Sequence, residues 1–315
     1  MENIAKGLNS LSNLIGSTRS VLEELRKMEQ DLNQKEQRTQ GLVQKLGNGE
    51  VNRQTLQELI NEEQSEVKEE DRLVQGLSSL LQQDQEEVQI LEQVVQGINQ
   101  EEQQEDQGLQ RVRSEIEAMS HEGVTQEGLQ KVMQDSNRVA NILLDEAHEE
   151  IKTSSLSQNL AKELGFSAEE IINAEKLEKE EEYEEREIEE LAQRINNEKL
   201  LKMVNSLEQH TKRDEEKTEE ERKQVLNLVE EAEKTEEQLE GETQHTYEEA
   251  ETLLQLLRQL KELTRGSPLE DENFQQNFQN LVGEAEEAEQ EAEQAYQQEE
   301  QAEQTEASAE KVANQ

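Results

Sequence analysis

The sequence predicts an all-α protein: a long antiparallel coiled coil with a small helical hub and terminal helices that fold back into a bundle. Three observations predict it. Apolar residues recur in a 4–3 alternation through about nine heptads, the mark of a left-handed coiled coil. There is one proline, Pro268, in 315 residues. The polar residues are mostly Glu and Gln, which are good helix formers.

Composition narrows the kind of core. Hydrophobic residues make up 30% of the chain and aromatic residues 2%. That is too little large apolar surface for a thick globular core, but enough for a core one seam wide. Low hydrophobicity with a net charge of −45 is also the composition of a disordered chain. The near absence of proline argues against disorder, and so does the choice of acid. Glu is used in preference to Asp, the acid that helix interiors disfavour.

The first helix is expected over 1–46. Ile4, Leu8, Leu11, Ile15, Thr18, Leu22 and Leu25 keep the heptad. After Leu25 the phase is expected to drift towards Met28, Leu32, Leu42 and Leu46. Gly47-Asn48-Gly49 then reads as a helix stop and reversal.

The second helix, over 52–120, carries the clearest signal. Its seam reads Leu56, Ile60, Glu63, Val67, Glu70, Val74, Leu77, Leu81, Asp84, Val88, Leu91, Val95, Ile98, Glu102, Glu105, Leu109, Val112, Ile116 and Met119, of which fourteen are apolar. Such a helix is roughly 100 Å long. Gly76, Gly97 and Gly108 lie beside the seam, each unfavourable by about 1 kcal/mol against Ala. The five acids on the seam would meet their own copies in a parallel in-register dimer, which favours antiparallel pairing within the chain.

Residues 121–172 have the fullest apolar content and read as the hub. Thr125 caps a helix with Leu129, Val132, Met133, Val139, Ala140, Leu143, Leu144, Ala147 and Ile151. Lys152-Thr153-Ser154-Ser155 is expected to break it. A short helix with Leu156, Leu160 and Leu164 ends at Gly165. Ser167 and Glu170 then form a capping box, with Phe166 as the staple.

Residues 173–265 read as one long returning helix. An acidic run at 178–190 carries Ile188, Leu191 and Ile195. The phase shifts at Leu200, Leu201, Val204 and Leu207, and a polar stretch covers 210–222. The heptad resumes from Val225 to Thr264 and stops at Gly266-Ser267-Pro268. Residues 269–315 form an Ala/Glu-rich helix with Phe274, Phe278, Leu281, Ala285, Ala288, Ala292, Ala295, Ala302, Ala309 and Ala313 on its seam. Its last fifteen residues are expected to fray.

Several function classes are excluded. With no cysteine, thiolate metal sites, disulfides and thiol nucleophiles are absent. No run of about 18 apolar residues offers a spanning helix. The N-terminal residues lack the basic region, apolar block and cleavage site expected of a secretory leader, and the absence of cysteine fits a cytoplasmic or other reducing setting. The 77 acids against 32 scattered bases argue against direct binding of nucleic acid or anionic lipid. Such an acid excess repels itself, and a saline cytoplasm, where the screening length falls to about 3 Å near 1 M salt, is one explanation.

No phosphate loop, dinucleotide fingerprint, H-E-x-x-H or calcium loop is present. Asp145/His148 and Glu242/His245 have the acid-x-x-His spacing of di-metal bundles. In a chain this acidic, chance accounts for them, so no metal, cofactor or catalytic site is expected, and His121 and His210 are expected to be solvated.

The expectation is therefore a non-enzymatic scaffold or spacer whose partners are other proteins, itself included. Candidate contact surfaces are the N-terminal stripe (Ile4, Leu8, Leu11, Ile15) and the hub (Leu129, Val132, Leu143, Leu144, Leu160, Phe166). The alternative is a holdase-like assembly chaperone that grips clients with exposed helical tips.

Overall fold

A computed structural model describes residues 2–49 and 51–313. Among them are five long α-helices: α1 (Glu2–Gly47), α2 (Arg53–Glu122), α3 (Gln126–Arg194), α4 (Glu198–Thr264) and α5 (Glu272–Ala313). No strand occurs among the described residues.

Local chemistry sets where α2 to α5 start. Asn52 Oδ1 accepts the backbone N–H groups of Gln54 and Thr55 at 3.0 and 2.9 Å. Thr125 Oγ1 accepts from Gly128 N at 3.1 Å. Asn197 Oδ1 accepts from Lys199 N at 3.0 Å, and Asp271 Oδ1 from Phe274 N at 2.7 Å. Each satisfies amides that the first turn leaves without an intrahelical partner. The stops are left-handed residues: Gly49, Gly123 and Gly266, and Asn196 at φ 52°.

The chain divides into two compact units. The first comprises Met1–Ser12, Val88–Asn159 and Glu231–Glu306. It is a bundle of parts of α2, α3, α4 and α5 with the first turns of α1 laid against it. Leu109, Val112 and Ile116 meet Val132, Val139 and Leu143, then Leu253, Leu257 and Leu260, then Phe274, Phe278 and Leu281. The turns at Gly123 and Gly266 make α2/α3 and α4/α5 antiparallel hairpins. Across the bundle α2 runs parallel to α4, with Asn99 Nδ2 donating to Glu242 Oε1 at 2.6 Å.

The second unit comprises Asn13–Glu87, Leu160–Glu230 and Ala307–Gln315. Here α1/α2 and α3/α4 are the hairpins, turning between Gly47 and Arg53 and between Arg194 and Glu198. Val43, Leu46, Leu59, Ile188, Leu191, Ala192, Leu200 and Val204 make its apolar cluster. α1 runs parallel to α3, and Arg26 Nε donates to Glu170 Oε1 at 2.8 Å.

The all-α class and the long packed helices hold; several internal boundaries differ. The segment 121–172 is not a hub of short helices. α3 runs unbroken through 152–155 and past Gly165. Small residues that read as breakers are instead a buried face: Thr153, Ser154, Ser157 and Ser167 are each at most 1% exposed. Thr153 bonds back to the Glu149 carbonyl at 2.7 Å, and Ser157 donates to Glu236 at 3.2 Å. Ser167 is therefore a core residue rather than a cap.

The single returning helix over 173–265 is two helices, broken at Asn196-Asn197. Asparagine both tolerates the left-handed turn and caps the next helix. The apparent phase shift at Leu200 is that break. In α1 there is no drift after Leu25: Leu32, Glu36, Thr39, Val43 and Leu46 are all buried. The heptad continues, with two polar residues filling it. The fold-backs of α1 and α5 belong to different units and do not build a common base. At the other end of the chain α5 stays helical to Ala313. Ala309 is buried at 5% exposure, whereas the side chains of Ala302 and Ala313 and residues 314–315 lie outside the described residues.

Candidate functional site

The candidate contact residues are mostly interior. Ile4, Leu8, Leu11, Ile15, Leu129, Val132, Leu143 and Leu160 are all buried, at 0–7% exposure. Leu144 is half-buried against the first unit's core. Only Phe166 is exposed, at 42%, with the Arg26 guanidinium 5.3 Å from its ring centre. The two expected contact surfaces are thus internal seams of the protein.

What the seams hold besides apolar residues is carboxyl groups. In the first unit, Glu105, Glu146, Glu150 and Glu249 are at most 5% exposed. Thr246 Oγ1 donates to Glu150 Oε1 at 2.6 Å. Glu105 and Glu146 approach each other, and burial, reinforced by the neighbouring carboxyl, raises the Glu105 pKa far above the usual carboxylate range. Burial also raises Glu146 and Glu249. His245, on the rim at 39% side-chain exposure, has Nε2 3.2 Å from Glu102 Oε1 and 3.6 Å from Glu249 Oε1. Among the described residues no Lys or Arg forms an ion pair with this group.

The second unit contains the same arrangement. Thr211 Oγ1 donates to Glu185 Oε1 at 2.6 Å. Glu70 and Glu181 form the carboxyl pair, and both are raised, chiefly by burial. His210 Nε2 lies 3.1 Å from Asp71 Oδ1, and Nδ1 lies 3.2 Å from Asp214 Oδ2.

The correspondence is residue for residue. Glu70-Asp71 matches Glu105-Asp106 on α2. Gln209-His210-Thr211 matches Gln244-His245-Thr246 on α4, with Asp214 matching Glu249. On α3, which runs the other way, Glu181 and Glu185 match Glu146 and Glu150. Every shift is 35 residues, five heptads. One substitution breaks the match: Val67 stands where the first unit has Glu102.

The acid-x-x-His spacing names one histidine of these groups, His245, but with a different acid. His148 is half-exposed and lies 3.7 Å from Glu291. Glu242 takes the Asn99 amide, and the His245 ring lies nearest Glu102, with Glu249 at 3.6 Å. His210, expected to be solvated, has a side chain only 19% exposed. The signal that would have found both groups is the repeated Gln-His-Thr with an acid three residues later, which periodicity alone passes over as polar.

No family model matches the chain, and no curated protein sequence does. Among solved structures, one similar chain is a de novo designed helical repeat protein, 13% identical, covering 89% of this chain and 99% of that one at a TM-score of 0.15. Another comes from the computational design of self-assembling cyclic homo-oligomers, 10% identical, covering 90% of this chain and 98% of that one at a TM-score of 0.16. At such scores the likeness carries no assignment. No helix among the described residues is long and apolar enough to cross a membrane.

Proposed function

We propose that this chain is a non-enzymatic structural protein that holds other proteins together or apart through its charged faces. One observation carries the reading: its large apolar side chains are used up internally. Among the described residues only Val51, Phe166 and Tyr183 are large apolar side chains left exposed, and they are scattered along the sequence. Singly exposed apolar residues make no docking patch. The partners this surface fits are therefore met through polar and ionic contacts, which steer association and weaken with salt.

Proximity labelling in native cells, followed by reconstitution with the recovered partner, tests this. The expected result is a complex of fixed stoichiometry with a folded protein, weaker at 1 M than at 0.15 M KCl. A protein that instead suppresses the aggregation of unfolded clients and forms no such complex would overturn the proposal in favour of a chaperone.

A further inference from the structure

We propose that the Asp106, His245 and Glu249 side chains bind one divalent transition-metal ion, with Glu102 as a fourth donor. The donor atoms of the first three lie within 4.8 Å of one another. His245 Nε2 is 3.2 Å from Glu102 Oε1. Two i,i+4 pairs build the site, Glu102/Asp106 on α2 and His245/Glu249 on α4, and each places its two side chains on one helix face. The two helices run parallel here, so the pairs face each other rung by rung.

A cluster of acids is common in so acidic a chain. What sets this one apart is Glu249. It is 5% exposed, and no N–H or hydroxyl donor reaches either of its oxygens. Its neighbours are the acids Glu105 and Asp106 and the His245 ring at 3.6 Å. A carboxylate enclosed among carboxylates needs a cation or a proton. The three donors around it are arranged as ligands, and the half-exposed His245 leaves a way in from solvent.

The donor set selects the ion. Imidazole with carboxylates suits Zn²⁺, Mn²⁺, Fe²⁺ or Co²⁺, whereas Mg²⁺ and Ca²⁺ favour oxygen alone. In a tetrahedral zinc site with bonds of about 2.1 Å, donors stand roughly 3.4 Å apart. Small side-chain rotations close the present spacing to that. The second unit's group of Glu70, His210 and Asp214 has Val67 where this one has Glu102, and it forms no part of the proposal. The ion's role is structural: it ties α2 to α4. The proposal is independent of the scaffold reading.

The test uses the full chain, stripped with a chelator and titrated with Zn²⁺ and, separately, Co²⁺ and Mg²⁺. The parent should bind one more equivalent of Zn²⁺ and of Co²⁺ than His245→Gln does. Glu249→Gln should weaken that equivalent at least about tenfold. Zn²⁺ at a hundredfold excess over Kd should raise the parent's Tm by ~3 °C or more, and the rise should be absent in His245→Gln. Both variants keep helical circular dichroism, because His245 is half-exposed and Gln preserves the shape of Glu249. Equal stoichiometry in parent and His245→Gln would overturn the proposal. So would Mg²⁺ acting as well as Zn²⁺, the behaviour of a loose counter-ion cloud.

Discussion

Thr39 on α1 donates its hydroxyl to Glu66 Oε1 on α2 at 2.7 Å, with Thr39 fully enclosed and Glu66 5% exposed. Burial raises the Glu66 carboxyl to about 7, and this bond pulls against the rise. Thr39→Val keeps the shape and removes the donor. Leaving a buried acceptor unmatched is unfavourable by about 1–3 kcal/mol. Denaturant unfolding at pH 8 should show a loss of that size. Adding Glu66→Leu should recover most of it, since replacing both partners by apolar groups is nearly neutral. A double variant no more stable than Thr39→Val would show that the pair does not act as a unit.

Stability should fall as pH rises. Burial, with Glu180 and Glu66 nearby, raises Glu36 to about 8, and burial beside Glu66 and Glu36 raises Glu184 to about 9. Glu87 and Glu299 stand at about 7, again chiefly through burial. Below about pH 4.5 these groups hold protons in both the folded and the unfolded chain. Above it the unfolded chain ionises first, so the native state binds more protons and loses stability with each step up. The loss continues until pH passes the folded values. Tm should drop by at least ~5 °C between pH 6 and pH 9. A flat or rising profile would mean that these carboxyls are ionised in the folded state.

Two glycines on long helices should respond oppositely to alanine. A Cβ on Gly108 would sit 2.7 Å from Val139 Cγ2, a stiff branched neighbour, so α2 and α3 can approach there only because the side chain is absent. Nothing lies within 4 Å of the same position on Gly241, which is exposed on α4. Gly241→Ala should stabilise by about 0.5–1 kcal/mol through helix propensity alone. Gly108→Ala should destabilise by about 1–3 kcal/mol despite the same propensity gain. Thermal melts of the two variants decide it, and matching shifts would show that the contact is not tight.

Salt should stabilise the protein at neutral pH. Charges on the exposed faces repel, and that repulsion is screened over about 10 Å at 0.1 M salt and about 3 Å at 1 M. Tm should be several degrees higher in 2 M than in 0.1 M KCl. Equal melting at both would remove self-repulsion, and with it the case for a halophilic origin.

The heptad made the helical class and most of α2 legible, because Leu, Val and Ile at 4–3 spacing have one stable use in a chain this polar. The turns at Gly49, Gly123 and Gly266 were legible too, since glycine marks left-handed backbone. Asn196 does the same work but carries an ordinary polar side chain, so its turn read as a phase shift. Thr153, Ser154 and Ser167 misled in the opposite sense: small hydroxyl residues mark loops when exposed and close helix contacts when buried. Partners across helices decide which, and spacing along one helix does not show them. The acid-x-x-His spacing reaches His245 but not its partners Glu102 and Glu249, for the same reason. The acids around it stand four residues from the histidine and on another helix, not three residues before it.

The formal charge of −45 counts every acid as ionised. Burial raises Glu36 to about 8 and Glu184 to about 9 and pushes Glu63 and Asp84 well above the ordinary range, so the folded chain is expected to carry less than that charge at neutral pH. Folding is thus a proton-uptake reaction, and unfolding discharges acid into the medium. The enclosed carboxyls work as a reservoir that opens only when the helices separate, so the protein's electrophoretic mobility, like its solvation, belongs to the assembled bundles rather than to the composition.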